Sequence, residues 1–146
     1  MKTIAPILLL AFALGAVQAA ETPLVRSPLK ASDCIDKTQI NEWHIVDART
    51  AIVRTGPKRY LVTLQSACPL LNNRPQGLMF HANASNILNN RGRICGEVGE
   101  TVRSRNQPPC AIESVSKIDK TRFDQLSAQA KRYDNATTQP AAQPSH

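Results

Sequence analysis

The stretch WHIVDARTAIVRTGPKRYLVTL, residues 43–64, decides the fold. WHIV (43–46) and AIVR (51–54) are rich in β-branched residues and are parted by the polar DART (47–50). TGPK (55–58) supplies a Gly-Pro turn before RYLVTL (59–64). In that last run Tyr60, Val62 and Leu64 alternate with Arg59, Leu61 and Thr63, the period of two of a strand with one buried face. Three short strands joined by tight turns predict a β-meander.

Outward from the meander the signals stay short. ACPLLNNRPQG (67–77) reads as a loop, GLMFHA (77–82) as a fourth strand, and the Asn-rich NASNILNNRGR (83–93) as irregular chain. ETVRS (100–104) and AIESVSKI (111–118) read as two further strands, with Asn106, Gln107, Pro108 and Pro109 turning between them. DKTRFDQLSAQAKRY (119–133) has helical spacing: Asp119 is placed to cap it, and Phe123, Leu126, Ala130 and Tyr133 fall on one face. Together these predict a mainly β fold, a small antiparallel β-barrel or sandwich of SH3- or OB-like size with one C-terminal helix. The alternative is an open antiparallel sheet packed by that helix, an α+β arrangement.

The chain begins MKTIAPILLLAFALGAVQA, with Lys2 before an apolar run from Ile4 to Val17 and small residues Val17 and Ala19 at its close. This is the three-part pattern of a signal peptide over residues 1–19, cleaved after Ala19 or Ala20. The apolar run is shorter than the roughly 20 residues a membrane-spanning helix needs. Residues 20–32, with two prolines and no apolar period, read as a flexible leader. Residues 33–133 then form one domain, and the proline-spaced tail 134–146 reads as disordered.

Four cysteines follow the expected cleavage point: Cys34, Cys68, Cys95 and Cys110. Their spacings of 34, 27 and 15 residues hold no CxxC knuckle, so neither a zinc site nor a thioredoxin-like pair is expected. An even number in a small exported domain reads as two disulfides. Three pairings are open. A local argument favours Cys95 with Cys110, which sit outside the strands ETVRS and AIESVSKI and could meet across one end of the sheet, and leaves Cys34 for Cys68.

Charge is the strongest functional signal. The chain carries a formal +7, and losing Lys2 with the signal leaves 17 basic against 11 acidic residues. No acidic residue occurs between Asp47 and Glu97, a segment that holds Arg49, Arg54, Lys58, Arg59, Arg74, Arg91 and Arg93. Arg49, Arg54, Lys58 and Arg59 fall at or beside the meander's turns and are the candidate anion-binding residues. Nucleic acid is not the expected partner. Apart from Phe12 in the signal, the chain has only one Trp, two Tyr and two Phe for base stacking, and Trp43 and Tyr60 suit a core.

For catalysis, His44 and His81 are the candidate acid and base of a small nuclease-type hydrolase, with Arg59 steadying a phosphate. His146 ends the tail. There is no GxSxG, no HExxH and no phosphate-cradling glycine loop. No catalytic residue, cofactor or metal is therefore assigned from sequence.

The cysteine-led start DCI (33–35), the tyrosine strand followed by SACPLL (66–71), RICGEVGETV (93–102) and a closing Cys-Ala-Ile strand resemble a group of small exported proteobacterial proteins. That group is catalogued only as a domain of unknown function. The similarity spans roughly residues 33–118 and rests on the cysteine frame and an LCxGD-like turn, here Ile94-Cys95-Gly96-Glu97, with no lipobox. It implies export and a compact β-domain, and it brings no catalytic residues. The leading reading is a periplasmic or secreted, non-enzymatic β-domain that binds an anionic envelope component or a protein partner. The alternatives are the nuclease-type hydrolase and an inhibitor or accessory protein of an envelope enzyme.

Overall fold

The computed structural model describes residues 26–72 and 77–138. The expected signal peptide, the first part of the leader, Arg74 and residues 139–146, with His146, lie outside the described residues. Among the described residues six strands follow in order: β1 (Ile40–Asp47), β2 (Thr50–Thr55), β3 (Lys58–Leu64), β4 (Leu78–His81), β5 (Thr101–Ser104) and β6 (Cys110–Lys117). Two α-helices accompany them, α1 (Ala84–Asn89) and α2 (Lys120–Thr138). All strand pairs are antiparallel, in the order β1-β2-β3-β6-β5-β4. The sheet curls into a half-barrel and stops short of closing, with β1 and β4 as its edges. The mainly β architecture with a C-terminal helix is as the sequence predicts.

The meander forms as its pattern requires. Thr55 pairs with Lys58, so Gly56 and Pro57 make a two-residue turn, and Gly56 supplies the left-handed first position (φ 56°) that such a hairpin asks for. The strand β6 joins the two halves of the sheet: Cys110 and Ala111 pair with β5, while Ile112 to Lys117 pair with β3. Leu64 pairs with Ile112 and Thr63 with Ser114, which leaves Glu113 as an extra residue on β6. A bulge of this kind bends its strand, and it lies where the sheet turns from one half to the other.

Both faces of β1–β3 are covered. Ile45, Ala51, Val53, Tyr60, Val62 and Leu64 point into the main core with Phe80, Val102 and Val115. On the opposite face Val46 and Ile52 pack against Phe123, Leu126 and Ala130 of α2, with Leu61 and Ile118 beside them. That double cover explains why β2 is buried at Ala51, Ile52 and Val53 alike. The concave side is filled by two loops that cross as a single antiparallel bridge, Ile35 with Ile94, each fully buried.

That bridge overturns the expected cysteine pairing. Because Ile35 and Ile94 exchange backbone hydrogen bonds (2.8 and 3.0 Å), their neighbours Cys34 and Cys95 face one another and are joined, Cα to Cα 4.5 Å. Cys110 instead belongs to β6 as its first residue, opposite Val102, rather than lying outside the strand. At that end of β6 the chain leaving β3 returns, with Gln65 N donating to Ala111 O, and brings Cys68 to Cys110 at 6.3 Å. Antiparallel β3–β6 pairing, invisible to local spacing, makes the choice.

Three further segments differ from expectation. The Asn-rich run contains α1, capped by the Asn83 side chain, which accepts from Asn86 N. Residues 26–32 of the expected leader are tied down, Leu29 N donating to Cys95 O and Leu29 packing on the core. The helix α2 continues through Thr138 into the expected tail.

Candidate functional site

The four cations singled out from sequence go to three places. Arg49 sits in the β1–β2 turn, where its guanidinium donates to Leu64 O (3.0 Å) and Gln65 O (3.2 Å) and meets Glu113 at 3.5 Å. It holds the end of β3. Lys58 points to the other end of the sheet and its concave side, donating to Ser32 O at 2.7 Å, with Asp33 at 3.9 Å. Asp33 is also met by Lys117 at 3.0 Å. That hydrogen bond, with the nearby charges of Lys117, Lys58 and Lys30, holds the Asp33 carboxyl below the usual carboxylate range against its partial desolvation. Lys58 thus serves to anchor the N-terminal segment.

Arg54 and Arg59 remain, and they stand together. They are direct partners across β2–β3, on the face that α2 covers. Opposed like charges destabilise a strand pair, so this juxtaposition is one the fold tolerates rather than one it needs. Glu42, the cross-strand partner of Arg54 on β1, offsets part of it, with its Oε2 3.0 Å from Arg54 Nε. Arg59 donates to Pro57 O and lies over the Phe123 ring, 6.0 Å from its centroid.

These side chains form one wall of a groove of about 340 Å³ between the sheet and α2. The facing wall is a helical stripe, Lys120, Asp124, Ser127 and Lys131, whose spacing of 4, 3 and 4 keeps all four on one side of α2. Lys120 and Asp124 pair at 2.6 Å. The Asp124 carboxyl is held below its usual range, first by that hydrogen bond and then by the charges of Lys120, Arg59 and Arg54. The two arginines therefore act across the groove. Four cations line it against two carboxylates, Glu42 and Asp124. Among the described residues, neither Arg59 nor Lys131 has a carboxylate at ion-pair distance.

Lys120, Lys131 and Glu42 were not among the sequence candidates, because they lie outside the acid-free segment. The heptad-like spacing of Lys120, Asp124 and Lys131, beside the apolar Phe123–Leu126–Ala130 stripe, is the signal that marks them.

The histidines are not brought together. His44 is on β1 and His81 on β4, the two edges of the sheet. His44 faces α2, with Nε2 3.0 Å from Glu42 Oε1 and its ring edge-on to Phe123 at 6.2 Å. His81 is exposed. Among the described residues no three His, Cys, Asp or Glu side chains are grouped to hold a metal ion.

The ICGEVGE turn has a structural occupation. The Glu100 carboxylate, wholly buried, accepts from Cys95 N (2.9 Å), Gly96 N (2.7 Å), Glu97 N (3.1 Å) and Asn86 Nδ2 (2.8 Å). The loop wraps an internal anion.

Fold and groove define a small disulfide-bonded β-domain with a basic cleft under its C-terminal helix. The chain belongs to a family of unknown function, DUF6491, whose model matches residues 1–134. No curated protein and no solved structure matches it.

Proposed function

We propose that this is an exported, non-enzymatic domain that binds an anionic component of the cell envelope in the groove between β1–β3 and α2. The opposed Arg54–Arg59 pair carries this reading. Glu42 answers Arg54, but among the described residues Arg59 has no carboxylate at ion-pair distance, and a ligand bearing phosphate or sulfate groups supplies the counter-charge it lacks. Lys120 and Lys131 extend the cationic surface along α2, so the groove suits a ligand with more than one anionic group. Export is supported by the signal-like N-terminus and by two disulfides, which persist in oxidising compartments. Among the described residues no helix is long and apolar enough to cross a membrane.

The test uses inositol hexasulfate, a polyanion of constant charge, titrated into the labelled protein and followed by NMR. Binding is expected to shift the resonances of Arg54, Arg59, Lys120 and Lys131, to weaken as salt is raised, and to be lost in an Arg59→Ala, Lys131→Ala double variant. No shift at low ionic strength, or shifts centred elsewhere, would overturn the reading.

A further inference from the structure

Glu42 is shared between two neighbours. Its Oε2 lies 3.0 Å from Arg54 Nε in the groove, and its Oε1 lies 3.0 Å from His44 Nε2 on the same strand. With Glu42 ionised, the His44 Nε2 atom must carry the hydrogen of that contact, so a proton gained on acidification goes to Nδ1. The neutral trio His44, Glu42 and Arg54 then gains one positive charge. That charge falls beside the groove, whose walls hold four cations against two carboxylates: His44 is not itself a lining residue and acts through Glu42, which is.

We propose that His44 makes anion binding in this groove pH-dependent, protonation of its ring tightening the hold on a phosphate- or sulfate-bearing ligand. The inference rests on the groove being the binding site. Imidazole is the ordinary side chain whose charge changes between about pH 5 and 8. The charged groups around it are few. On β1 there is Glu42, and on β2 Arg54; on β3 Arg59 lies over the same Phe123 ring that His44 meets edge-on. On α2 Lys120 and Asp124 flank that ring and Lys131 lies two turns on, while Asp134 is three turns beyond Phe123, about 16 Å along the axis. Asp124, held below the usual carboxylate range by Lys120 and the two arginines, stays ionised across this interval and does not mask the histidine. His81, on the opposite edge strand, is the other described histidine and serves as the control.

Affinity for inositol hexasulfate, whose own charge does not change, is measured by calorimetry at about pH 8 and about pH 5.5 at fixed ionic strength. One added charge at this range is worth a roughly three- to tenfold gain in affinity at the lower pH. His44→Gln is expected to bind with the pH 8 affinity at both values, and His81→Gln to behave as the unaltered protein. By linkage, NMR of the His44 ring in the unaltered protein should show its titration midpoint rising when the probe is bound, which reads the coupling even where the variant fails to fold. Affinity that is flat with pH, or an equal gain in His44→Gln, overturns the inference and leaves the groove standing. Absence of binding at both pH values overturns the groove reading and the inference together.

Discussion

Glu100 is the residue on which the middle of the chain turns. A fully buried carboxylate is costly unless it is surrounded by donors, and here three backbone N–H groups and the Asn86 amide surround it. Replacing it by Gln removes the charge and turns an amide donor toward N–H groups that need an acceptor. Glu100→Gln is expected to cost about 3 kcal/mol in urea denaturation, and a change within ~0.5 kcal/mol would sink this account. Gly96, inside the same loop, has φ 85°, and a Cβ there would lie 2.6 Å from the Val115 backbone nitrogen. Gly96→Ala should therefore cost about 2 kcal/mol or more. Gly56→Ala should lose only the ~1 kcal/mol of left-handed strain, since nothing lies within 4 Å of that position. Equal losses at the two glycines would show that the close approach to β6 does not matter. In sequence, Glu100 reads as the first residue of a strand. Nothing local shows a side chain folding back over three preceding amides, because that contact is made by the loop's shape rather than by spacing.

At the scale of elements, α2 was legible because its signals are periodic and local. Asp119 caps it, accepting from Arg122 N at 2.7 Å, and Phe123, Leu126 and Ala130 are buried as the spacing requires. Asp119→Ala should cost about 1 kcal/mol of stability by thermal melting. The first turn also makes a pH prediction. Asp124 has its carboxyl lowered from 3.8 by the Lys120 hydrogen bond and by the groove's cations, so its charged form is favoured in the fold. The stability this lends is present above the ordinary carboxylate value and is lost as pH falls through the lowered one. An NMR titration of the Asp124 carboxyl should give a midpoint below 3.8 in the unaltered protein and a higher one in Lys120→Ala. An identical midpoint in both would show that Lys120 is not the cause. The candidate site was only half legible. Strand pairing sets Arg54 beside Arg59 and sends Arg49 and Lys58 to other surfaces, and no acid-free stretch of sequence can encode that division. The groove's second wall belongs to α2, more than fifty residues later in the chain.

For the molecule as a whole, the meander, the β5–β6 hairpin and the helix follow from local pattern, whereas the closure of the fold does not. Two contacts of long range decide it: β3 against β6, and the Ile35–Ile94 bridge across the concave side. Each disulfide reinforces one of them. Cys68–Cys110, 42 residues apart in sequence, locks the outgoing end of β3 to the start of β6. Cys34–Cys95, 61 apart, ties the N-terminal segment to the Glu100 loop and holds the plug in the half-barrel. Loop-closure entropy grows only with the logarithm of loop length, so removing either bridge is expected to cost about 4 kcal/mol. The two losses should nevertheless look different. Without Cys34–Cys95 the plug and residues 26–36 should exchange their amides freely while β1–β3 and α2 stay protected. Without Cys68–Cys110 the whole sheet should loosen, since β6 joins its two halves. Hydrogen exchange on the Cys34→Ser, Cys95→Ser and the Cys68→Ser, Cys110→Ser double variants reads this directly. A non-reducing peptide map tests the topology behind it: it should yield Cys34 linked to Cys95 and Cys68 linked to Cys110. A Cys95–Cys110 peptide from the native protein would contradict both the bridge at Ile35–Ile94 and the β3–β6 pairing, because neither leaves those two cysteines within reach of one another.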